Sequence, residues 1–481
     1  MASLIGSSGS RPSPARGFVA TAVLSTGVAA GSFALGVALV VLANVVGGAL
    51  GPAVILAIPI VVVAVLAIGS APWVAPAIVF MAFPVAYVEI PVAGHLQVRL
   101  VEVAVAAVTG LVVLHRLNAK RTPLPWSPEM WWGLLFLMWM VVATPSALNG
   151  AEAIKQDIDV IAGFLFALTV LASCPTMEDL RRTLGVLLAV GAGLGAIGLR
   201  GISSLRATFA GQVGINRAHG VFAHPNDLAL FTAMLLMVAI GIALGARSRL
   251  VRVFASLTAL ISLVALAASL SRGAWFGTAA GTVALVVLLP VARRAVTRVA
   301  LPLFALVALV VGLVLPSPPP QVLVVRERIG TITKPFEDPY DQRPAIWAEA
   351  IREIKEDPWT GQGPASFPLA SALSGSLSQT VGAEHAHDTL LTVAAETGLP
   401  NVLFLIGLTL AVGLTLFRSV RALRDTDDAP LVAGAGAALV ALVGQGLVDF
   451  TLRNPLLLFL SWTLVGVVLV GGREARKARA R

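Results

Sequence analysis

Apolar residues run along this chain in blocks of roughly 18 or more, and each such block spans a hydrocarbon core of about 30 Å as a helix. Short stretches of Gly, Pro and basic residues punctuate the blocks. Read against that punctuation, the pattern predicts spans at 18–46, 50–69, 71–92, 99–115, 130–148, 159–174, 181–200, 227–246, 251–270, 273–291, 299–315, 388–417, 431–450 and 454–471. Gly47, Gly48, Gly51 and Pro52 separate the first two, and Pro72, Pro76 and Pro84 interrupt the third. The expected fold is therefore an all-α integral membrane protein of about 12–14 transmembrane helices.

One connection breaks the pattern. From Pro316 to His387 the chain is polar, and Pro316, Pro318, Pro319 and Pro320 mark its exit from the membrane. A connector of that length carries function more often than a short one does. Within it, Arg343–Asp357 reads as an amphipathic helix. Pro344 suits its first turn, and Ile346, Trp347, Ala350, Ile351 and Ile354 share a face. Four regions follow: N-terminal helices at 1–199, central helices with arginine-bearing outer loops at 200–315, a large outer loop containing short helices at 316–387, and C-terminal helices with a basic tail at 388–481.

Composition agrees. Hydrophobic residues make up 57% and charged residues only 12%, against roughly a quarter charged in soluble domains. Soluble, disordered and disulfide-scaffold classes are excluded, and the single cysteine, Cys174, rules out an intramolecular disulfide. The net charge of +9 is not a nucleic-acid signal. The basic residues cluster between spans and set topology, placing both termini inside, with a basic tail from Arg473 to Arg481. Arg11 and Arg16 precede an apolar stretch, Phe18–Val46, too long for a signal-peptide core, so a retained first helix is expected.

Once that topology is drawn, the outer polar groups stand apart. Arg272 lies in a tight turn between two apolar spans, where a charge is costly without a partner or a route to the interface. Arg217 precedes a helix beginning near Pro225-Asn226-Asp227, with Asn226 or Asp227 as its cap. Glu384-His385-Ala386-His387-Asp388 brings proton-transferring side chains to the membrane edge. At helical spacing Glu384 shares a face with His387 and would orient its imidazole. A metal site drawing on His385, His387 and His219 or His224 is the alternative, although no HExxH pattern supports it. Asp157-Ile158-Asp159 offers either a divalent-ion site or a polar helix start. Trp131, Trp132 and Trp139 read as interface and packing residues, and Asp449 and Arg453 as a mutual pair across an outer turn.

Three stretches, taken in order, resemble the O-antigen ligase and O-antigen polymerase superfamily of bacterial membrane glycosyltransferases. They are Arg217-Ala218-His219-Gly220 through Pro225-Asn226, then Ser271-Arg272-Gly273-Ala274, then Arg343 and Trp347 through Gly361-Gln362-Gly363 to His387-Asp388-Thr389-Leu390-Leu391 and Gly398. Asp388 departs from the amide or hydroxyl residue usual after the histidine. The resemblance covers about residues 200–470. It implies a GT-C-like fold in the bacterial cytoplasmic membrane and transfer of a glycan from a polyprenyl-diphosphate carrier to an acceptor hydroxyl at the outer face. It also implies that no cofactor or metal is needed. Arg217 and Arg272 would bind the diphosphate and His387 would be the general base. Arg343, His385, His219 and Asn226 are further substrate-binding candidates. The acceptor is a glycan or a lipid-anchored core, so ligase and polymerase both stand, with a transporter as the rival class. The partners are the two lipid-linked substrates and the bilayer, not nucleic acid. A wide cavity lined by Arg217, Arg272 and His387 is expected.

Overall fold

The computed structural model describes residues 64, 66–93, 96–121, 124–200, 217–295, 342–375, 384–450 and 452–480. The chain divides after Ser70 into two compact units, and the account below concerns the second. The spans expected at 18–46 and 299–315, and nearly all of 50–69, lie outside the described residues, as does the rest of 296–341.

In chain order, α1 (Val74–Met81) leads to a hairpin of β1 (Glu89–Ala93) and β2 (Leu96–Arg99), paired antiparallel with Glu89 opposite Arg99. Then come α2 (Leu100–Asn118), α3 (Met130–Ala143), α4 (Gly150–Ser173), α5 (Met177–Gly198), α6 (Pro225–Gly245), α7 (Arg249–Ala268), α8 (Arg272–Leu288) and the short α9 (Pro290–Ala295). Past the loop lie α10 (Arg343–Glu356), α11 (Phe367–Ser374), α12 (Thr389–Thr397), α13 (Leu399–Ala422), α14 (Ala429–Gly446) and α15 (Pro455–Arg479). Eight of the described helices, α2, α4, α5, α6, α7, α13, α14 and α15, are long and apolar enough to cross a membrane. The protein is an all-α integral membrane protein.

Three spans differ from expectation for local reasons. The segment at 71–92 is α-helical only over Val74–Met81, followed by a 3-10 turn at Phe83–Val85 that contains Pro84, before the chain enters the hairpin. The segment at 159–174 begins earlier, at Gly150, capped by Asn149 Oδ1, which accepts from the Ala151 and Glu152 amides. Its first two turns look polar in sequence, yet their charges are paired. Lys155 meets Glu89 at 2.5 Å, Asp159 meets Arg99 at 2.6 Å, and Asp157 accepts from the Thr144 hydroxyl at 2.6 Å. Asp157 and Asp159 thus answer separate partners. The segment at 388–417 is two helices, α12 and α13, broken at Gly398. That glycine has φ +81, and a Cβ there would strike the Trp359 carbonyl. The Leu399 amide donates to Pro358 O at 2.9 Å and the Gln362 amide to Ala395 O at 2.8 Å, which seats the Trp359–Gly363 turn on the break. Trp139 reaches the same place, its indole N–H donating to Trp359 O and Thr397 O at 3.2 and 3.1 Å.

Packing between spans relies on small residues, since lipid offers no hydrophobic drive for helices to associate. On α8, Gly273, Gly277 and Gly281 repeat every fourth residue. A Cβ on Gly277 or Gly281 would run into the carbonyls of Ala441 and Ala437 on α14. Gly241 on α6 and Gly434 on α14 make the same close approach. The central helix is α15, whose apolar window is wholly buried and which packs on α4, α13 and α14.

The helix α10 docks on the membrane-embedded part through Ile346 and Ala350, which pack with Phe367, Ala386 and Ala395, flanked by Ile354 and Leu391. Ile351 is exposed, so the apolar face is narrower than the sequence suggested. Ala386 stands immediately before His387, so α10 helps set where that histidine sits. The same face buries Glu353 completely. Among the described residues neither of its carboxylate oxygens has a hydrogen-bond partner. Burial, with the charge of Glu349 adding, pushes this carboxyl up to about 8, against the smaller opposing pull of Arg352.

Two outcomes follow. Gly277→Val should destabilise the α8–α14 contact by about 1–3 kcal/mol, read as a lower Tm in detergent, whereas Gly413→Ala, with nothing within 4 Å of a Cβ, should not lower it. Glu353 is harder to ionise folded than unfolded, so α10 docking is at full strength below the ordinary value of 4.5 and weakens as pH rises towards about 8. Hydrogen exchange of α10 across that window should show falling protection in the wild type and a flat response in Glu353→Gln.

Candidate functional site

Four residues from three distant segments join in one hydrogen-bonded series. Arg217, just before α6, donates through Nε to Ser269 O and through a terminal nitrogen to Asn226 Oδ1, both at 2.6 Å. Asn226 Nδ2 donates to Asp449 Oδ2 at 2.6 Å. Asp449 Oδ1 then meets His387 Nδ1 at 3.0 Å. The carboxylate also accepts from the Phe450 amide at 2.9 Å. Asp449 is 4% exposed, in the turn between α14 and α15. Burial alone would raise its carboxyl. The hydrogen bond and charge of His387, with His385 and the Phe450 amide, outweigh that and hold it below the usual carboxylate range.

An ionised carboxylate only accepts hydrogen bonds. His387 Nδ1 is therefore the donor, which in the neutral tautomer leaves the lone pair on Nε2. The residue is half-buried and has φ +51, a left-handed conformation costly for a residue with a Cβ. Leu270, two residues before Arg272, shares it at φ +55. Lys120 and Ala365, at φ +51 and +57, are the other non-glycine residues of this kind among those described. His385 supports the turn. Its Nδ1 accepts the His387 amide at 3.1 Å, and its ring packs edge-on against His387 at 4.4 Å and against Phe450 at 5.7 Å. Burial, reinforced by the neighbouring His387, pushes its imidazole down to about 3, so it stays neutral.

The other candidates sort by position. Arg272 is the first residue of α8, after the Ser271 cap. The next residue, Gly273, lies against Val448, adjacent to Asp449 in the chain. Asn226 is not the helix cap. His224 is, its Nδ1 accepting the Asn226 amide at 3.2 Å, and this frees the Asn226 side chain for the series. Glu384 is exposed, and the side chain that meets His387 is Asp449 instead, because the His385–His387 turn is not helical and the expected spacing does not apply. What Glu384 supplies is its carbonyl, to Arg453. Arg453 pairs with buried Glu396 rather than with Asp449. Asp388 caps α12, accepting from the Leu391 amide at 2.8 Å. His219 is exposed, its Nδ1 bonded to Phe222 O at 2.9 Å. Arg343 opens α10, two turns from Ala350 at the Ala386 contact.

His385, His387 and Asp449 present one ligand atom each within 4.8 Å of one another, a set able to take a metal ion. In the geometry observed, Asp449 is engaged by His387, Asn226 and Phe450, and His385 Nδ1 by the His387 amide. Sequence reasoning missed Asp449 as the partner of His387. The available signal was a lone carboxylate between two apolar spans of a chain poor in charge. A space of about 660 Å³ is lined not by Arg217, Arg272 and His387 but by α3, α4 and α12–α15, with Phe450 and Arg453 at the end nearest His385.

No curated protein sequence matches the chain. Residues 257–406 match the O-antigen ligase family, a stretch that contains Arg272, Arg343 and the His385–His387 turn but neither Arg217 nor Asp449. Over that stretch the chain, a multi-pass membrane protein, is similar to the O-antigen ligase family, which supports the O-antigen ligase and polymerase superfamily.

Proposed function

We propose that the protein transfers a glycan from a polyprenyl-diphosphate carrier to an acceptor hydroxyl at the outer face of the bacterial cytoplasmic membrane, with His387 as general base and no metal. The observation that carries the reading is the series Arg217–Asn226–Asp449–His387, which fixes an arginine and an imidazole in one rigid frame. In the step, the acceptor O–H gives its proton to His387 Nε2 as its oxygen attacks the anomeric carbon. The bond from that carbon to the diphosphate breaks, and the diphosphate leaves with the electron pair. Asp449, held anionic, stabilises the imidazolium and keeps Nε2 pointed at the acceptor. Arg217 and Arg272 supply the fixed positive charge that the departing diphosphate requires, a task for which guanidinium geometry is suited.

His387 is favoured over His385 as base because burial keeps the His385 imidazole from taking a proton, and its Nδ1 is already occupied. Arg343, His219 and His385 would act by shaping the site, and Glu384 through its backbone.

The test is glycan transfer by purified protein from a polyprenyl-diphosphate glycan in the presence of EDTA. Wild type should remain active. His387→Asn, chosen because asparagine tolerates the left-handed backbone, should lose about 10²–10⁴-fold in kcat while still binding donor. Activity lost to EDTA and restored by a divalent ion would overturn the metal-free mechanism. Asp449→Asn should lower kcat by a factor within the same range and leave donor affinity unchanged. Arg217→Ala and Arg272→Ala should instead weaken donor binding, measured by titration with polyprenyl diphosphate alone.

A further inference from the structure

A space of about 660 Å³ lies outside the series described above. It follows α13 from Leu405 to Leu416, about 16 Å at the helical rise. That is roughly half the thickness of a hydrocarbon core, the depth of one leaflet. Along this length its walls are apolar, from Leu405 and Val412 on α13, Leu439 and Val443 on α14, and Leu458 and Val465 on α15. At the end near His385 the lining changes character. Asn149, Glu152, Lys155 and Gln156 on α4 line it there, with Glu396 and Arg453 opposite.

Those charges balance. Arg453 is paired with Glu396, Lys155 with Glu89, and Arg99 with Asp159. A diphosphate would find no surplus positive charge. Sugar hydroxyls, which donate and accept in equal measure, suit such a rim. Gln156 Oε1 is buried and has no hydrogen-bond partner among the described residues, an acceptor waiting for a donor.

The groove also lies on a different side of α14 from Arg272. Ala437 and Ala441 face α8, the helix that Arg272 begins. Leu439 and Val443, each two residues away, line the groove, and two residues carry a helix face through about 200°. The turn bearing Asp449 and Phe450 caps the end of α14 between the two sides. His387 joins it through Asp449 and His385 through Phe450.

We infer that this groove is the berth of a lipid-anchored glycan acceptor, its hydrocarbon chains between α13, α14 and α15 and its sugars against Asn149, Glu152 and Gln156. The inference rests on the reading that Arg217 and Arg272 hold the donor diphosphate. The two lipids then approach the Asp449 turn from separate sides, and neither must leave before the other arrives. Chain packing along the apolar walls supplies affinity, and the balanced rim selects a sugar head over a phosphate.

The test uses photolabelling in phosphatidylcholine proteoliposomes, which needs no turnover. One probe is a diacyl glycolipid with a diazirine in an acyl chain. The other is a polyprenyl diphosphate with a diazirine in its isoprenoid chain. The glycolipid should label peptides containing Leu405–Leu416 or Leu439–Val443, and the polyprenyl diphosphate should label α6 to α8. Gly413 lines the groove, and a Cβ there meets nothing within 4 Å, so Gly413→Phe starts its side chain in open space and directs a ring into the groove, with an unchanged Tm as the check on folding. It should cut glycolipid labelling by about tenfold or more, the loss of at least about 1.4 kcal/mol of binding, and spare the polyprenyl label. Groove labelling by polyprenyl diphosphate in preference to the glycolipid would overturn the assignment, as would glycolipid labelling unchanged in Gly413→Phe. Failure of the donor reading registers separately, as polyprenyl labelling indifferent to Arg217→Ala and Arg272→Ala.

Discussion

A single buried carboxylate, Asp449, organises the site end of this molecule. Removing a charge from water costs several kcal/mol even after relaxation, and the cost is met only where hydrogen bonds surround the ion. Asp449 has such a shell in Asn226, His387 and the Phe450 amide. Because each donor comes from a different part of the chain, meeting the carboxylate's requirement fixes the start of α6, the end of the large loop and the α14–α15 turn against one another. Arg217 is held at one further remove through Asn226.

The helices beneath make this possible by close approach rather than by interlocking bulk. Where α8 and α6 cross α14, glycines and alanines bring backbones together, and the starts of α6 and α8 arrive near the Asp449 turn. A second buried pair, Arg453 with Glu396, secures the other flank. It ties the α12 helix and the Glu384 carbonyl to the start of α15. The left-handed backbone at His387 is held by these surroundings, with Ala386 packed under α10 on one side and Asp388 capping α12 on the other.

Much of the fold was legible because a membrane span is written in one dimension. Runs such as 227–246 and 251–270 fall within a residue or two of α6 and α7. Misreadings arose where charge or glycine had a tertiary explanation. The first turns of α4 look like a loop until Lys155 and Asp159 find partners near the hairpin. Gly398 reads as an ordinary helix residue until the Trp359 carbonyl is seen against it. At the site, Arg217, Arg272 and His387 were marked by motif, yet Asp449 was not, because its role depends on residues 62 and 223 positions away. Helical spacing pointed instead to Glu384, a local partner in a segment that turns out not to be helical.

That long reach bears on how the protein is made. Helices enter the membrane in order of synthesis, and the N-terminal part of a chain folds before its end has emerged. Asn226 and His387 are both synthesised before residue 449, by 223 and 62 positions. Until then His387 lacks the carboxylate that sets its tautomer, and Asn226 has no acceptor for its amide. The constellation therefore closes only when the last pair of spans, α14 and α15, has inserted. A chain that ends before that point holds the motif residues without their shared frame.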